Sequence, residues 1–134
     1  MALTHVPTRS EVDPRHTWNA ESVFAGVDEW AAELAALSVG LGELDRFKGR
    51  LGDGPAALAD ALESTQAYAQ RVEMLLIHAA LTESVDRNDQ AATARAGQAG
   101  SLYGQVAGAT AYIEPELLAI GHDRLAEWVA AEPR

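Results

Sequence analysis

The sequence predicts an all-α fold: a long antiparallel helical hairpin, a third long helix and a short C-terminal helix, preceded by an extended N-terminal arm. Three observations carry that expectation. Alanine is abundant while Val, Ile, Phe, Tyr and Trp are scarce, which favours helices because alanine loses no side-chain entropy there. Apolar residues recur at alternating steps of four and three, the seam of a helix packed along a neighbour. Between these runs stand Gly, Asp and Pro, which start and stop helices. The 134 residues make one domain, able to bury roughly two thirds of the surface its unfolded form exposes.

Residues 1–27 read as the arm. Pro7, Pro14 and several polar residues alternate there with isolated large apolar ones, Val12, Trp18, Val23 and Phe24. To be ordered, such an arm must dock its aromatics on something. The helical domain then spans 28–134. Asp28 is a good N-cap, and Trp30, Leu34, Leu37, Leu41 and Leu44 form the first seam, extended by Phe47 and Leu51. Gly52, Asp53, Gly54 and Pro55 supply stop, turn and start signals. The second helix has its core at Leu58, Leu62, Thr65, Ala69, Val72, Leu76 and Ala79, and the short connection makes it antiparallel to the first. At about 1.5 Å per residue each arm of the hairpin would be roughly 35 Å long, suited to a lobe or wall.

The polar stretch 83–89 separates the second helix from a third, capped by Asn88 or Asp89 and packed through Ala92, Ala96, Ala99, Tyr103, Val106, Thr110 and Ile113. Its glycines at 100, 104 and 108 lie one turn apart and predict a close-packed neighbour, since each costs about 0.5–1 kcal/mol relative to alanine in a helix interior. Pro115 ends this helix or bends it into a short turn carrying Leu117, Leu118 and Ile120. Asp123 caps a last helix with Leu125, Trp128 and Val129, abandoned at Pro133 and Arg134. An apolar patch is expected where Trp18, Phe24 and the helix around Trp128 lack evident covers.

Composition narrows the function. A net charge of −10 and a pI near 4.7 oppose nucleic-acid binding, which needs clustered Lys and Arg. The acid excess reads as solvated helix faces. Without cysteine there is neither a disulfide framework nor a thiolate zinc site, and with no apolar leader or spanning run the expected setting is the cytoplasm, away from the membrane.

No complete catalytic centre is legible. A zinc hydrolase needs two imidazoles one helical turn apart with a carboxylate to activate water. His5, His16, His78 and His122 are far apart, none is followed by Glu, and no Glu stands three residues before any of them. Asp13 stands three before His16, but Pro14 breaks any helix there. His78, beside the second-helix seam, reads first as a hydrogen-bonded histidine at the core's edge. Glu83, Asp86 and Asn88 lack the glycine and closing Glu of a calcium loop and fit helix capping better. Ser22, Ser64, Ser84 and Ser101 show no nucleophile signature. The expectation is therefore that the chain itself supplies no complete catalytic centre, with no catalytic residue, metal ligand or cofactor assigned to it.

Taken together, Thr17-Trp18-Asn19-Ala20-Glu21-Ser22-Val23-Phe24, then Trp30, then Phe47-Lys48-Gly49-Arg50-Leu51, and finally Ile113-Glu114-Pro115-Glu116-Leu117-Leu118, resemble the opening of the oligoendopeptidase F-type zinc metallopeptidases. The resemblance spans nearly the whole chain. It implies the N-terminal helical domain of such an enzyme, a wall or lid over a channel that admits short peptides. Zinc and the catalytic Glu then belong to a longer downstream domain built around His-Glu-x-x-His, absent from this chain. Lobe-interface or substrate-channel candidates are Trp18, Phe24, His78 and Tyr103; the family usually carries Tyr near the position of His78. The implied partners are that catalytic domain and, in the intact enzyme, short peptides. The alternative is a free-standing helical interaction module.

Overall fold

A computed structural model describes residues 5–132. The first four residues of the arm, and the stop assigned to Pro133 and Arg134, lie outside the described residues. Helices dominate: α1 (Val27–Gly40), α2 (Pro55–Val85), α3 (Gln90–Thr110), α4 (Ile113–Ile120) and α5 (His122–Ala131). Among the described residues there is no strand. The arm ahead of α1 carries three single 3-10 turns, Arg9–Glu11, Pro14–His16 and Ala20–Ser22.

The first arm of the hairpin is shorter as an α-helix than the leucine seam suggests. α1 runs 14 residues, about 21 Å, and the chain continues in tighter 3-10 turns over Leu41–Phe47 and Leu51–Asp53. The change falls at Gly40 and Gly42, where helix propensity is lowest. It also falls where the Tyr68 hydroxyl donates to the Leu37 carbonyl, the acceptor at the end of α1. The seam survives regardless: Trp30, Leu37, Leu44 and Leu51, seven apart, are all buried. The helix starts two residues early, at Val27 with Gly26 as its N-cap, so Asp28 sits in the first turn, where its charge suits the helix dipole, instead of capping it.

With 31 residues, about 46 Å, α2 is the spine. Its buried line follows Leu58, Ala61, Val72, Leu75 and Ala79, with Thr65 and Tyr68 part-buried between them. The expected Leu62 is 41% exposed, and Leu76 only flanks the core. The neighbours decide the difference. α1 lies on the side of Tyr68 and Leu75: Trp30 Nε1 donates to the Leu75 carbonyl at 3.1 Å, and Arg71 makes a forked pair with Glu33 at 2.7 and 2.9 Å. The steps are therefore three then four where the sequence reading has four then three.

The same shift appears on α3, the helix packed most extensively along α2. Asp89 caps it by accepting from the Ala91 and Ala92 amides. Ala92, Ala99, Leu102 and Val106 are buried, while Tyr103, expected inside, is 48% exposed. The glycine expectation also fails, because a Cβ built on Gly97, Gly100, Gly104 or Gly108 would meet nothing within 4 Å. These glycines face outward, since the inner face is already filled by residues at steps of three and four on the opposite side.

Two apolar clusters result. The larger joins Phe24, Trp30, Leu37, Val72, Leu75, Ala79, Ala99, Leu102 and Val106. The smaller holds Leu51, Leu58 and Ala61, covered by Ile113, Leu117, Leu125 and Trp128 from α4 and α5. Gly121, at φ +86°, makes the turn between those two short helices, a conformation costly for any residue with a Cβ.

Candidate functional site

Three of the four candidate residues meet. The arm brings Trp18 and Phe24 onto His78 of α2, with ring centroids 5.3 Å and 5.1 Å from the imidazole, the Phe24 contact edge-on. Aromatic edges and faces in this range attract beyond simple burial. Phe24 is a core residue at 9% exposure, and Trp18 is part-buried. Burial pushes the His78 imidazole below its usual range; nearby Arg95 adds to this, while the hydrogen bond to the Ala20 backbone and the charge of Glu21 oppose it. The ring is therefore a mostly neutral wedge holding the arm to α2, consistent with a histidine at the core's edge. Beside it a cleft of about 310 Å³ is lined by Trp18, Phe24, His78, Thr82, Val85 and Asp86, among others. Arg9 strengthens the arm by donating to the Trp18 carbonyl at 2.5 Å. Tyr103 stands apart on α3.

The expected patch of Trp18, Phe24 and Trp128 does not form. The arm covers its own aromatics against α2, and Trp128 packs in the smaller cluster with an Arg124 guanidinium 5.2 Å from its ring centre. Apolar side chains are instead exposed along the outer face of α2, where Met74 (52%), Ile77 (56%), Leu81 (43%) and Val85 (47%) follow at steps of three and four. The signal was in the sequence, because the C-terminal half of α2 is apolar on two faces and one helix face suffices for the core.

A second joint was invisible to sequence spacing. The Glu116 carboxylate accepts from the Gly49 amide at 2.6 Å and the Leu51 amide at 3.3 Å. It thereby ties the Ile-Glu-Pro-Glu-Leu-Leu segment to the Phe-Lys-Gly-Arg-Leu turn. Tyr112 adds a bond from its hydroxyl to the Leu44 carbonyl at 3.1 Å. Gly49, at φ +76°, supplies the turn that presents its amide to the carboxylate.

A zinc site does not fit this donor set. Among the described residues no group of three or more His, Asp or Glu is placed to hold a metal ion. The Asp13 carboxylate is engaged by Arg15 at 2.6 Å, and His122 lies on the surface beside Asp123. Asp86 accepts from the Asn88 amide, as a turn residue does. No helix among the described residues is long and apolar enough to cross a membrane.

The geometry thus defines a class: an all-α unit with a strapped arm and an uncovered apolar flank, on which no group of three or more His, Asp or Glu is placed to hold a metal ion among the described residues. Comparison with known proteins gives the particular family. The chain corresponds to a fragment of the oligoendopeptidase F family. It is 32% identical over 124 residues to the oligopeptidase PepF of Bacillus subtilis strain 168, covering 92% of this chain and 18% of that protein. It is 25% identical over 122 residues to the plasmid oligoendopeptidase F of Lactococcus lactis subsp. cremoris, covering 90% of this chain and 20% of that one. The crystal structure of oligoendopeptidase-F from Enterococcus faecium superposes with a TM-score of 0.74 at 25% identity, over 81% of this chain and 21% of its own. The chain thus spans about a fifth of the length of the curated relatives it matches. No protein-family model matches it.

Proposed function

We propose that this chain is the N-terminal helical lobe of an oligoendopeptidase F-type zinc peptidase, with residues 28–134 as the lobe and residues 1–27 as an arm whose Trp18 and Phe24 rest on His78 of α2. In the intact enzyme the long helices wall a channel that admits short, unfolded peptides. The bond-breaking equipment, zinc included, sits on a catalytic domain made of other polypeptide, and the working place is the cytoplasm. The observation that carries this reading is the match along nine tenths of the chain to about a fifth of PepF. The helical superposition on oligoendopeptidase-F supports it. A spine of about 46 Å, longer than the roughly 30 Å diameter of a small domain, suits a wall.

The test is immunocapture of the chain from its native extract, followed by assay on short unstructured peptides and on a folded protein of similar sequence content. Cleavage of the peptides alone, lost with a zinc chelator and restored by zinc, is the expected result. Capture of the chain without any peptide hydrolysis would count against it.

A further inference from the structure

The outer face of α2 carries four large apolar side chains on successive turns, Met74, Ile77, Leu81 and Val85, each at least 43% exposed. Scattered apolar residues on a surface need no explanation, but a run at helical spacing is a patch. The segment is also short of charge: from Met74 to Val85 the one acidic residue is Glu83, part-buried and off that line, in a chain of net charge −10. A face bound for solvent on so acidic a protein would carry some of that charge. Interface cores are, by contrast, depleted in charged residues and enriched in Met and large apolar groups.

We infer that the Met74–Val85 face of α2 is the surface on which the remaining polypeptide of the peptidase docks. The occupant follows from length. The homologous unit in the relatives is about a fifth of a longer chain, so about four fifths of each relative lies outside it and must meet it somewhere. The Trp18–Phe24–His78 contacts are already satisfied from within. This inference rests on the lobe reading above and adds which face is covered.

Met74 is a built-in reporter, because the chain's only other methionine is Met1. Protein captured from native extract and the 134-residue chain alone are treated with dilute hydrogen peroxide, and sulfoxide at Met74 is followed by mass spectrometry. In the captured protein Met74 should oxidise about tenfold more slowly than in the chain alone. Ile77→Glu should lower the melting temperature of the intact protein while leaving that of the 134-residue chain unchanged. Equal oxidation in a captured protein that is larger than the chain overturns the docking face and leaves the lobe reading standing. A captured species of 14.2 kDa without companion overturns both. Protection of the chain alone that grows with its own concentration assigns the face to a second copy and overturns the proposed occupant.

Discussion

Leu75 and Leu76 are adjacent, and only one of them can be the core residue of α2. Leu75 is fully buried, in the cluster with Trp30, Leu37, Val72 and Leu102, whereas Leu76 is part-buried at its edge. Leu75→Ala removes three buried carbons, about 2.4 kcal/mol at about 0.8 kcal/mol each. The cavity left in a packed centre raises this to about 3–4 kcal/mol. Leu76→Ala loses part of that transfer energy and leaves a dent open to solvent, about 1 kcal/mol in all. At about 3 °C per kcal/mol for a chain of this size, the melting temperature should fall by about 9–12 °C for Leu75→Ala and about 3 °C for Leu76→Ala. Urea titrations followed by far-UV circular dichroism should show the same order in midpoint with an unchanged slope. A Leu76→Ala variant as unstable as Leu75→Ala would refute the packing described, and would restore the four-then-three seam.

Further outcomes follow from single contacts. Glu116→Ala gives up the exposed Gly49 and part-buried Leu51 amide bonds and should cost about 0.5–1.5 kcal/mol in a chemical melt, with Glu116→Gln, which keeps one acceptor, costing less. His78 is held below its usual pKa, so its contribution is complete above about pH 6.5 and is lost as pH falls through the lowered folded value. Stability measured from pH 7 to pH 5 should therefore drop more steeply in the wild type than in His78→Phe, and parallel curves would dismiss the coupling. Gly104→Ala meets no neighbour and should raise the stability of the chain by about 0.5–1 kcal/mol in a thermal melt.

Much of the fold was legible because a step of seven is insensitive to how it divides. Trp30, Leu37, Leu44 and Leu51 are buried as expected, as are Leu58, Val72 and Ala79, and Ala92, Ala99 and Val106. The position between them was not legible. Whether three precedes four depends on the side from which a neighbouring helix approaches, and that information sits in α1 for Leu75 and in α2 for Leu102. Leucines at 62 and 76 pulled the reading toward themselves because hydrophobicity says only what a residue tolerates. The conversion of Leu41–Phe47 to 3-10 geometry was hidden for a similar reason, since Gly40 and Gly42 alone do not end a helix and the Tyr68 hydroxyl that reaches Leu37 comes from another element.

At the candidate site, sequence motifs pointed to the family, while contacts between distant motifs required the fold. Trp18 and His78 meet because the arm turns back along α2 through three short turns that proline spacing alone does not define. Glu116 reads as an ordinary acidic residue until Gly49 places its amide opposite. The exposed line on α2 lies off the seam read from the sequence, and it went unremarked there because an apolar helix that serves two interfaces has the same composition as one that serves a single crowded core.

The most direct measurement for the account is the mass of the native species that carries this chain, taken by light scattering on material purified from its own cells with peptidase activity followed across the same fractions. A species several times heavier than 14.2 kDa, coincident with hydrolysis of short peptides, is the predicted result. A lone 14.2 kDa protein eluting away from all such activity would contradict it.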